Sequence, residues 1–310
     1  MSLHGANSMK SLPERFDPTK RAFELYEDVN YRGYWEEPHQ RRIDASEKRL
    51  IQRLLRAPGR RILDLGCGHG RLAPCYLDRY DKIVLFDGAI SLLRQARAAL
   101  GERAIYVAGD ARRIPFRQGA FDSVLLIRVI QHFRDVPACL REARRVLVRR
   151  GRLVFSYHNK RNLRRIIRRL VFRDRIDPFD RSTQEVSGAL LSHHPQYVLD
   201  SLRACGFSSP AEWGVGVFEG SREGTACDTL RNALASASAK ILGSWNLAPW
   251  TIGSAYAVGG GPSSSEGSLE SALQCPRCRG GLRSADRESE CLSCGSRYPT
   301  IDGIHDFRLG

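Results

Sequence analysis

Cys275-Pro-Arg-Cys278 and Cys291-Leu-Ser-Cys294, with twelve residues between the two pairs, make a constellation with well-defined chemistry. Two C-x-x-C knuckles at this spacing can turn four thiolates toward one tetrahedral centre, and Arg279-Gly280 and Gly295-Ser296 follow as short pairs that let each turn close. The ion that suits such a donor set is zinc. Four protein ligands leave no open position, so the metal is expected to be structural and to replace a core that so short a segment cannot build. A redox dithiol would need only one of the two pairs. The other cysteines, Cys67, Cys75, Cys139, Cys205 and Cys227, are scattered singly in an odd total of nine. That is no disulfide framework, and it points to a reducing, cytoplasmic setting.

A second constellation lies at Ile62-Leu63-Asp64-Leu65-Gly66-Cys67-Gly68-His69-Gly70, an apolar strand running into a glycine-rich turn. Glycines there permit positive φ and a close approach of backbone to ligand. The dinucleotide fingerprint is G-x-G-x-x-G, with a pyrophosphate on the following helix N-terminus. This loop reads G-x-G-x-G, with Asp64 two residues ahead of it, a charge that would repel a pyrophosphate and suit a cationic amino-acid end. The next strand ends in Phe86-Asp87-Gly88, where a carboxylate about 20 residues after the loop can accept both hydroxyls of a ribose. The third ends in Gly109-Asp110-Ala111, where an aspartate beside exposed backbone could bond an adenine amino group. His132 and His158, just past the fourth and fifth strands, are the candidate general bases. His193-His194 precede a helix and read as capping or surface residues.

From Arg60 to Ser156 this order of motifs, including Ile114-Pro115-Phe116, Phe121-Asp122-Ser123-Val124 and Gly151-Arg152-Leu153, resembles the class I S-adenosylmethionine (SAM)-dependent methyltransferases, specifically their type 11 group. The resemblance implies a Rossmann-like, mostly parallel seven-stranded sheet and SAM as cofactor, with S-adenosylhomocysteine as product. It implies that Gly66, Cys67 and Gly68 pass the methionine part, that Asp87 binds the ribose, and that Asp110 and Ala111 hold the adenine. Ile127 and Arg128 would form the floor beside the sulfonium, and Asp64, Gly70 and Gly88 complete the expected cofactor-binding set, with the alternative for Asp64 and Gly70 that they only shape the turn. Arg128 departs from the pattern: a cation beside a sulfonium is unfavourable, so it is expected to turn toward the cofactor carboxylate or an anionic acceptor. The C-terminal pattern, with Tyr298-Pro299-Thr300-Ile301-Asp302-Gly303-Ile304, is similar to the Trm112-type zinc ribbon. Members of that family bind and activate methyltransferases, which implies a partner role in cis.

The elements that must position these groups follow from the hydropathy pattern. Apolar runs at 61–65, 82–86, 104–108, 123–127 and 152–156 alternate with helical patterns starting at Arg71, Ser91 and Val136, which predicts an α/β doubly wound domain. Residues 1–40 read as an N-terminal lead or lid containing Tyr31-Arg32-Gly33-Tyr34-Trp35, and residues 41–258 as the main domain. The stretch 259–272, GGGPSSSEGSLE at its start, has the composition of a flexible linker, and 273–310 is the ribbon. No apolar run is long enough to span a bilayer, and the N-terminus carries no secretory h-region.

The chain has a net charge of +15, and all but six of its 49 basic side chains are arginines. From Lys160 to Arg175 the sequence KRNLRRIIRRLVFRDR, with Asn162 as N-cap, predicts a helix apolar on one face and cationic on the other. Such a helix fits a membrane surface or lipid substrate, RNA, or simple packing with a solvated face. A small-molecule or lipid-like acceptor is favoured over RNA or protein. The alternatives are a tRNA or rRNA methyltransferase with a cis-fused ribbon, and a non-catalytic scaffold whose basic helix and ribbon dock RNA or protein.

Overall fold

The structure is a computed structural model of the 310-residue chain. It describes residues 26–27, 30–187, 190–216, 239–241, 245–261, 265, 267–285 and 287–308. The start of the N-terminal lead and Cys227 lie outside the described residues. Five strands, β1 (Gly59–Leu65), β2 (Tyr80–Asp87), β3 (Ile105–Ala108), β4 (Phe121–Leu126) and β5 (Leu147–His158), pair in parallel in the order β3-β2-β1-β4-β5. Their apolar runs are continuous rather than alternating because both faces are covered. A hairpin, β6 (Gln184–Ser187) with β7 (Leu190–Ser192), follows β5 at its carboxyl end. Then β8 (Ala211–Val215) pairs antiparallel with β9 (Trp250–Tyr256), which pairs antiparallel with β5. The order reverses between β1 and β4, which opens a crevice beyond the strands' carboxyl ends.

Helices α1 (Tyr31–Glu36), α2 (Pro38–Leu54) and α3 (Ile90–Leu100) cover one face, with Trp35, Ile43, Leu50 and Leu93 in its core. Helices α4 (Val136–Val146) and α6 (Pro195–Ala204) cover the other with Val136, Leu140, Ala143, Val198 and Leu202. In α4 these positions recur at helical spacing, and Asp135 caps the first turn by accepting from the Ala138 amide at 3.3 Å. Helix α5 (Leu163–Phe172) forms as the sequence predicts, with Asn162 as its cap. His194 caps α6, whereas His193 is buried rather than on the surface, its Nε2 3.2 Å from the Ile130 carbonyl.

Two expectations are corrected. No α-helix starts at Arg71: the loop leads into turns and a short 3-10 helix, Ala73–Cys75, because Pro74 there can donate no backbone hydrogen bond. Nor is the stretch 259–272 a free linker among its described residues. Ser265 is buried and its hydroxyl donates to Asp122 Oδ2 at 3.0 Å, the Arg61 guanidinium donates to the Gly267 carbonyl, and Leu269 and Ala272 enter the core with Phe116 and Phe121.

The ribbon strands β10 (Leu282–Ser284), β11 (Glu288–Cys291), β12 (Arg297–Ile301) and β13 (Ile304–Asp306) continue the same sheet. Asp302-Gly303, both at positive φ, close the two-residue turn between β12 and β13. Strand β13 then pairs in parallel with β3, Ile304 opposite Tyr106 and Asp306 opposite Ala108. Among the described residues no helix is long and apolar enough to cross a membrane.

Candidate functional site

At the crevice lies a cleft enclosing about 750 Å³ of empty space, part of it open solvent. The first loop bends over the end of β2: the Gly66 and Cys67 amides both donate to the Phe86 carbonyl, at 2.7 and 3.1 Å. Gly66 (φ 81°) and Gly68 (φ 56°) line the cleft, and a Cβ on Gly66 would stand 2.2 Å from the Val129 side chain. Only glycine fits there.

Asp87 sits at the centre. Its Oδ2 accepts from the Gly68 amide at 2.8 Å and its Oδ1 from the Ala89 amide at 2.9 Å, so backbone fixes the carboxylate in one orientation. Burial pushes its carboxyl above the ordinary range, with these backbone hydrogen bonds working against that shift. Each oxygen keeps a further lone pair for a ligand hydroxyl. Asp110 and Ala111 line the opposite wall, where the Arg112 guanidinium grips Asp110 through Nη2 at 2.7 Å and Nε at 3.0 Å. Tyr26, Tyr31, Phe86, Leu92 and Phe133 supply the apolar lining. The N-terminus of α3 is occupied by the chain itself, since Glu27 accepts from the Ile90 and Ser91 amides at 3.0 Å each. His132 faces the cleft with its Nε2 3.2 Å from the Tyr26 hydroxyl.

Arg128 also lines the cleft, yet its charge is satisfied within the fold. It lies in the left-handed region (φ 63°), its amide donates to Ser156 Oγ at 2.8 Å, and its guanidinium bonds Glu47 Oε1 through Nε at 2.8 Å and Nη2 at 2.5 Å. The guanidinium carbon is 3.4 Å from the centre of the Trp250 ring. Arg71 shares the fully buried Glu47, reaching Oε2 at 3.0 Å, bonds Asp44 and stacks on Trp35 at 3.7 Å. The expected role of Arg128 toward a cofactor carboxylate or anionic acceptor is therefore replaced by a clamp that fastens α2 to the sheet.

The four ribbon cysteines converge, with all sulfur atoms within 4.8 Å of one another. Cys275 and Cys294 are 3.7 Å apart and Cys278 and Cys291 3.4 Å. A tetrahedral Zn–S₄ centre with bonds of about 2.3 Å requires separations near 3.8 Å, so the residues fit zinc. Arg279 (φ 65°) and Gly295 (φ 69°) each follow the second cysteine of a pair in the same left-handed conformation, and the Gly280 and Ser293 amides point at Cys278 and Cys291 sulfur at 3.4 Å. Such N–H groups stabilise thiolates.

Residues 63–155 match a family model described as a methyltransferase domain. Over those residues the chain is similar to methyltransferases, and its fold is that of solved SAM-dependent methyltransferases. A malonyl-[acyl-carrier protein] O-methyltransferase of Geobacter sulfurreducens is 40% identical over 123 residues, 36% of this chain and 46% of that protein. A demethylmenaquinone methyltransferase of Thermotoga maritima is 27% identical over 153 residues, 49% of this chain and 60% of that one. The matches thus span about half the length of these curated relatives. Among solved structures, a SAM-dependent methyltransferase of T. maritima superposes with a TM-score of 0.52 at 18% identity, covering 76% of this chain and 98% of that one. A chain in a complex of the Haloferax volcanii Trm112 methyltransferase activator with a methyltransferase superposes at 0.52 and 15% identity, covering 77% and 99%.

Within the methyltransferase domain, the cleft gathers Gly66, Gly68, Asp87, Gly88, Asp110, Ala111, Arg128 and His132 from separate parts of the sequence. Four expected residues stand outside its lining. Asp64 is buried beneath the loop and accepts from the Tyr76 hydroxyl, and burial raises its carboxyl to about 7. Cys67 is buried and turned to its neighbour's carbonyl, Ile127 belongs to the core, and Gly70 packs on Ala96 and Leu100 to shape the turn. His158 is also absent from the cleft: it packs edge-on against Trp250 at 4.8 Å, and burial, followed by Arg165 and Arg128, lowers it to about 3. That corrects its expected role as a base.

Tyr26, Glu27, Val129 and Phe133 escape the sequence reading. Tyr26 and Glu27 precede the loop by some 40 residues with no motif around them, whereas Val129 and Phe133 flank residues already singled out. A pyrophosphate does not suit this methyltransferase cleft. No α-helix follows the glycine loop, Glu27 already caps α3, and two carboxylates face inward. A ligand with ribose hydroxyls, an adenine and a cationic amino end fits what is present.

Proposed function

We propose that this protein transfers the methyl group of SAM to a small or lipid-like metabolite. The observation that carries the reading is Asp87, held by two backbone amides at the mouth of a glycine loop that belongs to a matched methyltransferase domain. Gly66 and Gly68 let the cofactor's methionine end approach the backbone, Asp87 accepts the ribose hydroxyls, and Asp110 with Ala111 receives the adenine. When bound, the cofactor supplies an electrophilic methyl group on a good leaving group, so the protein's task is alignment and exclusion of water. The aromatic rings of Tyr26 and Tyr31 serve that exclusion. His132, held by Tyr26, accepts a proton from an acceptor hydroxyl or ammonium. The apolar lining supports an acceptor of modest size and low charge. The four cysteines hold a structural zinc, and the ribbon acts in cis on its own methyltransferase domain.

The test is methyl-labelled SAM incubated with the protein and, separately, with the lipid, small-metabolite, RNA and protein fractions of a cell extract. Label in the lipid or small-metabolite fraction is expected, and label confined to RNA or protein would overturn the acceptor assignment. Asp87→Ala should weaken SAM binding at least about tenfold, the value of one good hydrogen bond to a charged group. Unchanged affinity in a calorimeter would overturn the ribose assignment.

A further inference from the structure

Helix α5 is oriented the opposite way to a helix packed on a domain. Leu163, Ile167, Leu170 and Val171 form one stripe at i, i+4, i+7 and i+8, and that stripe faces solvent. Leu170 is 70% exposed and Val171 66%, Phe172 on the other side of the last turn is 74% exposed, and no residue of the helix is buried. Ile166, at the border of the stripe, is half-buried, as are Arg165 and Arg169 on the other side. The hydrophobic effect alone would rotate the helix so that this stripe met the domain. We propose that α5 docks the protein on an anionic lipid bilayer, lying in its interface with the apolar stripe inserted.

The surroundings carry the proposal further. The Leu163 amide donates to the Leu247 carbonyl at 2.9 Å, which sets the segment bearing exposed Trp245 (67%) beside the start of the helix, and Trp245 is joined in turn to exposed Ile241. Arg164, Arg168, Arg173 and Arg175 are exposed along the flank of the stripe. The single acid between residues 160 and 176, Asp174, is engaged by Arg168 at 3.0 Å. Guanidinium groups beside an apolar stripe complement lipid phosphates beside acyl chains, and tryptophan suits the boundary between them. An RNA would be held by the arginines but would gain nothing from exposed leucine, isoleucine and valine. Ten residues span about 15 Å, half a bilayer core, so the helix lies on the surface and does not cross it. Because α5 follows the carboxyl end of β5, docking sets the edge that bears the cleft toward the lipid. Docking itself needs neither cofactor nor methyl transfer, so its test is independent of the proposed activity.

The experiment is flotation of the full-length protein, without cofactor, on vesicles of phosphatidylcholine alone and of phosphatidylcholine with phosphatidylglycerol in a two-to-one ratio. Binding to the mixed vesicles is expected, weak on the neutral ones, and reduced at least about tenfold in the double variant Leu170→Glu, Val171→Glu. Both side chains are exposed, so the variant should keep the wild-type thermal midpoint and SAM affinity. Wild-type binding should fall steeply with salt, and Arg164→Glu, Arg168→Glu should reduce binding similarly and flatten that salt dependence. Equal flotation of wild type and the apolar variant would overturn the proposal. So would binding to an RNA oligonucleotide that only the arginine variant impairs, or a dimer in sedimentation that Leu170→Glu, Val171→Glu dissociates while vesicles are ignored.

Discussion

Asp64 and Asp87 stand at the carboxyl ends of adjacent strands, yet Asp64 is buried and only the half-buried Asp87 addresses the cleft. Asp87 meets two backbone amides and keeps its remaining lone pairs toward the opening, while Asp64 meets the Tyr76 hydroxyl below the loop. The same contrast separates the histidines. His132 faces the cleft beside Tyr26, and His158 lies behind Trp250. The burial of His158 has a consequence for stability. An unfolded imidazole takes up its proton near pH 6.5, whereas folded His158 stays neutral to about 3. Between those values the unfolded state binds more protons, so the stability present above about pH 6.5 is lost as pH falls toward 3. His193, lowered to about 4 by burial, adds in the same direction. The loss from His158 should be about 2 kcal/mol near pH 5. His158→Phe should flatten the fall in thermal midpoint between about pH 7 and pH 5, and an unchanged slope would contradict the assignment.

Among the elements, α4 joins the ribbon to the methyltransferase domain through one side chain. Glu142 accepts from the Ile114 amide at 2.8 Å, from Arg145 at 2.8 Å, and from Arg279 of the first knuckle at 2.9 Å. The two guanidiniums and their hydrogen bonds hold its carboxyl below the ordinary range against the opposing effect of burial. Glu142 is buried but Arg145 is half-buried and Arg279 exposed, so the main loss on removing the carboxylate is the unsatisfied Ile114 amide, about 1–3 kcal/mol. Glu142→Ala should lose stability of that order in urea unfolding. By comparison, Glu290→Ala, which breaks the exposed pairs with Arg283 and Arg297, should cost no more than about 1 kcal/mol. Equal effects would show that Glu142 does not fasten the two elements.

At the scale of the molecule, the ribbon and the methyltransferase domain share one core. Cys275, Cys291, Tyr298 and Phe307 cluster with Val107, Phe116 and Phe121, and Arg308 bonds the same Glu27 that caps α3 beside the cleft. Zinc, as proposed, should therefore stabilise the whole chain. Chelation should lower the midpoint of a single thermal transition and weaken SAM binding, and two independent transitions would contradict the shared core. The methyltransferase fold could be read from the sequence because its signals are local. Apolar runs fix strands, glycines at 66 and 68 permit positive φ, and paired C-x-x-C knuckles bring their ligands together over a few residues. The structure alone decided which way side chains turn and what distant segments cover. It paired Arg128 with Glu47 across 81 positions, seated Ser265 and Leu269 in the core despite their linker-like context, and added β13 to the edge of β3. It also turned the apolar stripe of α5 outward. Periodicity defines a helix's two faces, but which face meets the protein depends on surfaces contributed from elsewhere in the chain.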